Sequence, residues 1–519
     1  MPEYLAPGVY IEEIERGPKP IEGVATSTAA FLGETARGTV KPRLVTSYAE
    51  FLRNFGNGFN DSQYTPVAVK GFFDNGGRRC YVARIVSSTS TKAKAEINGS
   101  FFQAVGPGTG SNRIWVSLAP SSSVDKVGDP IGFRVRAYYW DNIEPDQVFD
   151  PEDDALSDRL PRPSFAEDFD DLSTDPDSAN YFRKRINNFD AEQTIIDGSS
   201  GLIEINVEDG TAPPGKGPGQ ALQGGEDGDA IVVGDFIGDD PNANLRRGLR
   251  ALDLDTYRDV AIVHAPNAKV DIVTQVISHC ENNRFRFAVV DCAPGQNDPS
   301  TDLRRTTFDS KYGAYYYPWL KISDARTGAR RNVPPGGFVC GIYARSDNAR
   351  GVFKSPANET VSGALDLEFD IDQRQQETLN PRGINVVRRF PGRGIRVWGA
   401  RTISSDPLWR YVSVRRLFIF LEASIYRATQ WVVFESNDHR LWARVKQSVT
   451  LFLRTQWREG ALFGVKEEEA FSVSVGTPDT MTEDDILNGR LIVEVGIAPV
   501  RPAEFVIFRV FQKTREANS

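Results

Sequence analysis

The sequence contains few of the residues that most often bind metals or form disulfides. It has four cysteines, three histidines and two methionines among 519 residues. The cysteines show no CxxC spacing; they are Cys80, Cys280, Cys292 and Cys340. This usage is typical of a reducing compartment or of a disulfide-free assembly. We therefore expect no disulfide framework, no metal site and no cofactor.

Long hydrophobic runs are also missing. No stretch approaches the roughly 18–20 apolar residues of a membrane helix, and the N-terminus lacks the basic and apolar regions of a secretory signal. Hydrophobic residues make up 40% and charged residues 25% of the chain, as in ordinary globular proteins. The length predicts three or four domains, and we expect no direct membrane insertion.

A complete nucleotide-binding motif is not present. "GTAPPGKG" at 210–217 contains GxxxxGK, but Gly217 stands where a phosphate-binding loop has Ser or Thr. Two prolines also remove backbone donors that such a loop needs. We interpret 206–229 as a Gly/Pro-rich connector.

An enzyme is an alternative that rests on four residues. His264 and Asp291 each end a predicted strand, where α/β enzymes often place active-site groups; His279 and Cys292 lie nearby in the sequence. No GxSxG nucleophile elbow accompanies them. We expect no catalytic residue and keep this set as the enzyme hypothesis.

Negative charge is concentrated in one segment. Residues 141–177 hold fourteen acids and two arginines, a net charge of −12 in a chain of net −9, which leaves +3 for the remainder. We interpret the segment as a solvated, outward-facing insertion. Calcium binding is the alternative, but the segment lacks the glycine and the spaced Asp/Asn pattern of a calcium loop.

Apolar patterning predicts an α+β multidomain fold. Strands are expected at 25–38, 76–86 and 311–322, and at "DVAIVHAP" and "RFAVVDCAP" on either side of the helix "DIVTQVISHCENN". Strand–helix–strand order with continuously apolar strands indicates a parallel α/β layer. Short strands among acidic, Pro-rich loops at 92–205 indicate an inserted β-rich domain. "NLRRGLRALD" is predicted to be helical.

Four further helices are predicted from their ends and spacing. Two short ones span 47–56 and 65–77. A long buried helix is expected over 406–434, with Asp406 as N-cap and Pro407 at N1. A second long helix follows at 438–458, and two strands, 490–499 and 503–512, close the chain.

The helix at 438–458 has two distinct faces. At 100° per residue, six positions fall within an arc of about 80°: Arg440, Arg444, Gln447, Leu451, Arg454 and Arg458. The opposite side carries Trp442, Val445, Val449 and Phe452. The basic ridge is either a solvated face or a surface for an acidic partner.

Arginines are also dense at 386–401 and 409–416. The first cluster places Arg388, Arg389, Arg393, Arg396 and Arg401 among Phe390 and Trp398. A nucleic-acid binder is the alternative here, but the chain is acidic overall, so arginines at subunit interfaces fit better. We expect no nucleic-acid partner.

The stretch "GVYIEEIERGPKPIEGV" at 8–24 begins like a strand but has no local partner. Val9, Tyr10, Ile11 and Ile14 are strand formers, whereas Gly17, Pro18 and Pro20 stop regular pairing. No hairpin turn follows. The pattern indicates a strand whose partner lies elsewhere.

Several long stretches resemble the contractile tail sheath family of phages and phage-tail-like injection systems. They cover the first ~90 residues and most of 333–512, and they read "LAPGVYIEEI", "GVATSTAAFLGETARG", "VPPGGFVCGIYARSDNARGVFKSPAN", "NPRGINVVRRFPGRGIRVWGARTISSDPLWRYVSVRRLFIFLEASIYRATQWVVFESND" and "NGRLIVEVGIAPVRPAEFVIF". The resemblance is weaker in the α/β layer and absent from the acidic insertion.

The resemblance implies a domain plan. A sheath core is built from N- and C-terminal parts, with an α/β layer domain, an inserted β-rich outer domain and extended terminal arms. The expected boundaries are 1–23 for the N-terminal linking arm, 24–91 for the first part of the core, 92–205 for the acidic outer domain, 206–345 for the α/β middle domain, 346–500 for the inner, tube-facing second part of the core, and 501–519 for the C-terminal strand or arm.

The resemblance also implies a structural polymer of stacked hexameric rings around an inner tube. Baseplate and terminal cap proteins are the other expected partners, and assembly is expected in the bacterial cytoplasm. Contraction would drive the tube through a target membrane. An injection system is favoured here, with a contractile-tailed phage virion as the alternative.

The resemblance assigns roles to named residues. Val9, Tyr10, Ile11 and Ile14 would form an inter-subunit strand, and Gly17, Pro18 and Pro20 its hinge. A C-terminal sheet would contain Val493, Val495, Phe505, Ile507 and Phe508. By analogy, the tube-facing candidates are Arg440, Arg444, Arg454 and Arg458.

Overall fold

The computed structural model describes residues 20–57, 63–156, 158–187, 199–206, 217–324 and 327–509. They divide into two compact units. The larger unit is Ala25–Arg416; the smaller contains the described residues 20–24 and 417–509. Among the described helices, none is long and apolar enough to cross a membrane.

The strands of the described chain are numbered in sequence order. They are β1 (Ala29–Gly33), β2 (Arg43–Val45), β3 (Cys80–Arg84), β4 (Lys94–Ile97), β5 (Ser100–Ala104), β6 (Ile114–Pro120), β7 (Phe133–Tyr139), β8 (Phe165–Leu172), β9 (Ile203–Asn206), β10 (Gly217–Ala221), β11 (Ile262–His264), β12 (Phe287–Asp291), β13 (Gly313–Tyr317), β14 (Leu320–Ser323), β15 (Arg330–Val333), β16 (Glu359–Thr360), β17 (Asp366–Leu367), β18 (Ile384–Phe390), β19 (Gly394–Val397), β20 (Phe471–Val475) and β21 (Val493–Ile497).

The α-helices are numbered in the same way. They are α1 (Tyr48–Phe55), α2 (Thr65–Asp74), α3 (Phe182–Arg185), α4 (Val233–Ile237), α5 (Gly248–Ala251), α6 (Val270–Asn283), α7 (Leu303–Thr306), α8 (Gly336–Arg350), α9 (Gln373–Leu379), α10 (Val412–Ala428), α11 (His439–Arg458), α12 (Glu467–Ala470) and α13 (Glu483–Leu487).

A nine-stranded sheet organises the larger unit. Its strand order is β16-β19-β18-β13-β12-β11-β1-β3-β2. The six strands from β18 to β3 run parallel to one another. Strand β1, for example, lies between β11 and β3, with Ala29 opposite both Ile262 and Cys80. The predicted parallel α/β layer and the mixed α/β fold class are confirmed.

Helices cover both faces of this sheet. Neighbouring tyrosines of β13 point to opposite sides, as pleating requires. The Tyr316 hydroxyl lies 2.7 Å from that of Tyr343 on α8, whereas the Tyr315 hydroxyl donates to Asp302, which caps α7. Helix α2 packs closely on α8 at Gly337. Any larger residue there would clash, since its Cβ would come within 2.4 Å of the Ala68 Cα. Buried strands with helices on both faces account for the continuous apolar runs.

The segment after β3 forms two additional sheets. One has the order β4-β5-β9 and the other β10-β6-β7-β8. They share a hydrophobic core that includes Phe102, Val116, Val135 and Phe182. The β-rich character predicted for 92–205 is therefore present. Strand β10 comes from the segment predicted as a plain connector, because its backbone pairs with β6.

Three local predictions need correction. Asp406 caps a 3₁₀ turn, Pro407–Trp409, and α10 begins only at Val412. The aromatic strand expected over 311–322 is two strands, β13 and β14, because Pro318 between them has no N–H to donate. "NLRRGLRALD" forms a 3₁₀ turn and the short α5 rather than one helix.

The smaller unit is built around α11. Asp438 caps its N-terminus by accepting hydrogen bonds from the backbone N–H groups of Arg440 and Leu441. Strand β20 packs near this helix and pairs antiparallel with β21. The helix predicted at 438–458 is confirmed to within one residue.

Candidate assembly surfaces

In the described part of the chain, the C-terminal sheet has two strands, β20 and β21. Val493 and Val495 lie on β21, opposite Val475 and Val473 of β20. After β21, Ala498 and Val500 donate backbone hydrogen bonds to Ala470 and Ala461. Both strands of a two-stranded sheet are edge strands, and such a sheet is marginal alone. The geometry therefore leaves room for further strands.

The second C-terminal strand does not form in the single chain. Residues 503–509 of the predicted strand 503–512 are neither helix nor strand, and the remaining residues lie outside the described part. Phe505, Ile507 and Phe508 are exposed by 73%, 78% and 86%. Such continuous apolar exposure is unusual for a soluble surface. The predicted inter-subunit sheet stays a prediction, because residues 503–509 pair with no strand within the described part of the chain.

Most of the N-terminal arm lies outside the described residues. This holds for Val9, Tyr10, Ile11 and Ile14, and for the hinge residues Gly17 and Pro18. Pro20 is described and exposed. Four residues later, the backbone N–H of Val24 donates to Ser424 Oγ of α10 at 3.1 Å. The arm is therefore anchored on α10 where it enters the described structure.

The two faces predicted for α11 are present. Trp442, Val445, Val449 and Phe452 are buried. On the opposite side, Arg440, Arg444, Gln447, Leu451 and Arg458 are exposed and Arg454 is half-buried. The burial of one face fixes the rotation of the helix, so the basic ridge faces outward from its unit.

Two arginines of this ridge bind carboxylates of their own chain. Arg444 lies 3.2 Å from Glu435 and over the Trp431 ring. Arg454 makes two hydrogen bonds to Glu467, of 2.7 and 2.9 Å. The Arg454 bond lowers the pKa of Glu467 and raises that of Arg454. Sequence reasoning missed both partners, although the run Glu467–Glu468–Glu469 beyond the helix was a visible signal.

Arg440 and Arg458 differ from these two. Within the part of the chain that the structure describes, neither forms an ion pair. They stand at the two ends of the ridge, eighteen positions apart on α11, which corresponds to about 27 Å along a helix. The ridge therefore presents two arginines outside any ion pair among the described residues, with Gln447 and Leu451 between them.

His264 and Asp291 lie in the core of the sheet. The His264 Nε2 is 3.5 Å from an Asp291 oxygen, and its Nδ1 is 2.9 Å from the Val289 carbonyl. Asp291 accepts backbone hydrogen bonds from Asn267 and Gly336. Only glycine fits at position 336, because a Cβ there would come within 2.2 Å of the His264 ring. Both side chains are buried, and their contacts link β11, β12 and the start of α8.

The other members of the enzyme hypothesis are placed elsewhere. His279 lies on α6, where its Nε2 accepts from Arg286 at 2.7 Å. Burial lowers the pKa of His279 to about 4 and raises that of the Cys292 thiol. The structure brings His264 and Asp291 together but not a nucleophile activated by them. All four cysteines are buried free thiols.

The arginine clusters divide into buried and exposed groups. Arg415 and Arg416 are buried in the larger unit. Arg415 stacks on Tyr312 and Trp409, and Arg416 binds Asp347. In the cluster at 386–401, Arg401 is also buried. The other four arginines lie on the β18–β19 hairpin, whose tip is in solvent.

Family comparisons match the C-terminal half of the chain. The model of the phage tail sheath protein central domain matches residues 242–403, and that of the phage tail sheath C-terminal domain matches 404–513. Together they cover more than half of the 519 residues.

Two curated relatives support the same family. A putative prophage major tail sheath protein of Pseudomonas aeruginosa is 26% identical over 285 residues, 53% of this chain and 71% of that protein. The tail sheath protein of Burkholderia phage BcepMu is 26% identical over 300 residues, 52% of this chain and 61% of that protein.

Solved structures share the fold over nearly the whole chain. The sheath complex of an extracellular contractile injection system (PVC), in its contracted state, has a TM-score of 0.59 at 24% identity and covers 99% of this chain and 100% of that one. The helical sheath of the anti-feeding prophage, also contracted, has a TM-score of 0.57 at 24% identity, covering 98% and 99%. A sheath tail protein of Listeria innocua has a TM-score of 0.59 at 13% identity, covering 93% and 94%.

The fold is thus that of contractile-tail sheath subunits. The chain belongs to the phage tail sheath family and is a structural tail sheath protein. Its relatives are structural proteins rather than enzymes.

Proposed function

We propose that this chain polymerises into stacked hexameric rings around an inner tube and that contraction of the rings drives the tube through a target membrane. The observation that carries the proposal is the incomplete C-terminal sheet. Among the described residues, the outer edges of β20 and β21 pair with no further strand, while Phe505–Phe508 are apolar and exposed. Edge strands accept further strands through main-chain hydrogen bonds.

The terminal arms supply those strands. The strand-forming residues Val9–Ile14 precede the anchor of Val24 on Ser424. Roughly 20 extended residues span on the order of 60–70 Å, enough to reach a neighbouring subunit. Gly17, Pro18 and Pro20 are suited to a hinge that survives large rearrangement. In this proposal, the arm of one chain and residues 503–509 of a second complete the sheet of a third.

The basic ridge of α11 is the proposed tube-facing surface. All four arginines were candidates, but Arg444 and Arg454 already bind Glu435 and Glu467. Arg440 and Arg458 therefore carry the attraction to an acidic tube, and Arg444 and Arg454 hold the flanking loops in place. An acidic partner with carboxylates about 27 Å apart fits this spacing.

Contraction requires a contracted lattice that buries more surface than the extended one. Apolar burial stabilises by about 25 cal/mol per Å², so an additional ~200 Å² per subunit would release ~5 kcal/mol. A kinetic barrier would hold the extended state until release. The free energy that drives contraction would then come from the subunit interfaces formed in the contracted lattice.

An injection system is favoured over a phage virion. The PVC and anti-feeding-prophage sheaths match this chain over 98% or more of its length. A phage virion is the second candidate, since phage tail sheath proteins are among the sequence relatives. Both candidates, the injection system and the phage virion, would assemble in the bacterial cytoplasm and attach to baseplate and cap proteins. Electron microscopy of particles purified from the source cells separates them, because only a virion carries a capsid.

The strand-exchange proposal is tested by deleting residues 1–20 from the full chain. We expect a folded subunit, with an unchanged circular dichroism spectrum, that forms no tubes in electron micrographs. A second variant, Phe505→Ser with Ile507→Ser, should also lose tubes. Val127→Ser is the matched control, because Val127 is equally exposed, at 85%, but lies in the outer domain. Normal tubes from both arm variants would overturn the proposal.

A further inference from the structure

The β18–β19 hairpin carries an unusual charged face. Arg388 and Arg396 stand directly opposite each other in its register. Phe390 and Trp398 are two positions from them on the same face, with ring centroids 4.5 Å apart. Arg393 at the tip lies over both rings. Like charges directly opposite each other on adjacent strands are destabilising.

The chain does not neutralise these charges. Arg388 donates to the amide oxygens of Gln373 and Gln376, and Arg393 and Arg396 donate to oxygens of Asn358. All of these acceptors are neutral, and among the described residues none of the three arginines forms an ion pair. Arg389, on the other face, binds Asp366 and Asp370. The contrast shows that one face of the hairpin is left with unpaired positive charge.

The acidic insertion has the opposite imbalance. Arg134 and Arg136 bind three of its carboxylates, those of Glu152, Asp168 and Asp170. Two further carboxylates of the insertion lie near arginines, Glu144 at 3.4 Å from Arg113 and Asp158 at 3.8 Å from Arg162. Its other acids include four that are exposed and in no ion pair among the described residues: Asp146, Asp153, Asp175 and Asp177. The unpaired negative charge of this unit is therefore concentrated on the insertion.

The fold places these two charged elements at opposite ends of one sheet. The insertion leaves from β3 and packs on α1, where Arg37 donates to the carbonyls of Asn54 and Gly201. Strands β3 and β19 are separated by six strand spacings in the nine-stranded sheet, or about 29 Å. Within one copy, the arginine face and the insertion do not meet.

We propose that the arginine face of the β18–β19 hairpin binds the acidic insertion of a second copy of this chain. This contact rests on the proposed polymer and adds a specific interface to it. Because donor and acceptor surfaces differ, the contact is head-to-tail, which generates closed rings or open helices rather than a two-fold dimer. An acidic neighbour would relieve the repulsion between Arg388 and Arg396, and the adjacent Phe390 and Trp398 rings would hold the guanidinium groups in place.

The test compares self-association of full-length variants by sedimentation and electron microscopy. Arg393→Glu with Arg396→Glu should weaken association about tenfold and remove most of its salt dependence. Asp146→Lys with Asp158→Lys and Asp177→Lys should have the same effect. Lys269→Glu is the control, an exposed charge change in the same unit away from both surfaces. Circular dichroism verifies that each variant is folded.

Mixing the two reversed variants is the decisive step. Their surfaces are complementary again, so the mixture should associate as strongly as the wild type, although each variant alone associates about tenfold more weakly. Wild-type association by both variants, or failure of the mixture to assemble, would overturn the contact. Loss of duplex DNA binding by the hairpin variant, with association unchanged, would also overturn it and assign the face to nucleic acid. If the wild-type chain formed no assembly, the proposed polymer itself would fail.

Discussion

Arg416 binds Asp347 through two hydrogen bonds of 2.9 and 2.6 Å, and both side chains are almost completely buried. The same carboxylate accepts from the Thr26 hydroxyl, and Arg416 also donates to the Thr26 carbonyl. Thr26 and Arg416 lie at the two ends of the larger unit, Ala25–Arg416. The Arg416–Asp347 ion pair and its hydrogen bonds to Thr26 thus join the two ends of this unit to α8.

Replacing Asp347→Asn should strongly destabilise the larger unit. The change leaves a buried guanidinium without its counter-charge, which costs about 3–5 kcal/mol. Urea denaturation measures the loss. Asp74→Asn is the control, because it breaks the exposed Lys70–Asp74 pair and should cost no more than ~0.5 kcal/mol. Equal effects of the two changes would contradict the role of the buried pair.

Arg37→Met should loosen the attachment of the outer domain. Arg37 is buried and donates to the carbonyls of Leu52, Arg53, Asn54 and Gly201. Its loss removes these hydrogen bonds, although the Leu52 carbonyl still accepts from the Gly56 N–H, and should cost about 2–4 kcal/mol. We expect lower stability and faster proteolysis between α1 and the insertion. Arg162→Met, at an exposed site, should change neither measurement, and a proteolysis rate equal to wild type in Arg37→Met would refute the prediction.

Acid should destabilise the larger unit through His279. Burial holds the pKa of His279 near 4 in the folded chain, against an ordinary value of 6.5, so the unfolded chain gains a proton that the folded chain rejects. The contribution of His279 to the free energy of unfolding is fully present above pH 6.5. It declines by up to about 3 kcal/mol as the pH falls to about 4. Denaturation midpoints of wild type and His279→Gln across this range should converge at low pH. Parallel curves would exclude this source of acid sensitivity.

Charge reversal at Arg440 and Arg458 should reduce binding to the inner tube protein. Neither residue is paired in the described chain, so both charges are available to an acidic partner. Arg454→Gln should alter stability more than tube binding, because Arg454 holds Glu467. Co-sedimentation with assembled tubes measures the difference. Lys446→Glu, on another side of α11, serves as the control; equal losses for all variants would contradict a specific ridge.

Much of the fold could be predicted from the sequence because it depends on local patterns. Apolar spacing and the Asp438 cap define α11, and continuous apolar runs mark β11 and β12 as buried strands. Strand order could not be predicted, because β1 pairs with β11 more than two hundred residues away. Strand β10 was missed because Gly217–Ala221 lacks strand-forming side chains and is held by backbone bonds to β6.

For the candidate surfaces, the sequence predicted which residues are exposed but not which of them have partners within the chain. Helical geometry was enough to place the ridge of α11 on one exposed face. It could not distinguish Arg444 and Arg454 from Arg440 and Arg458, because Glu435 and Glu467 approach through the folding of loops. The strand expected at Phe505–Phe508 followed from residue type alone, whereas a strand also needs a neighbour.

The position of β1 in the sheet also determines when the sheet can form during translation. Its neighbour β3 is made early, but its other neighbour, β11, emerges more than two hundred residues after β1 itself. At roughly 5–20 residues per second, that interval lasts about 10–40 s on the ribosome. The nine-stranded sheet therefore cannot close until most of the chain has been translated. In the proposed polymer, a nascent subunit would therefore be unable to join prematurely, since its β20–β21 sheet is among the last elements to appear.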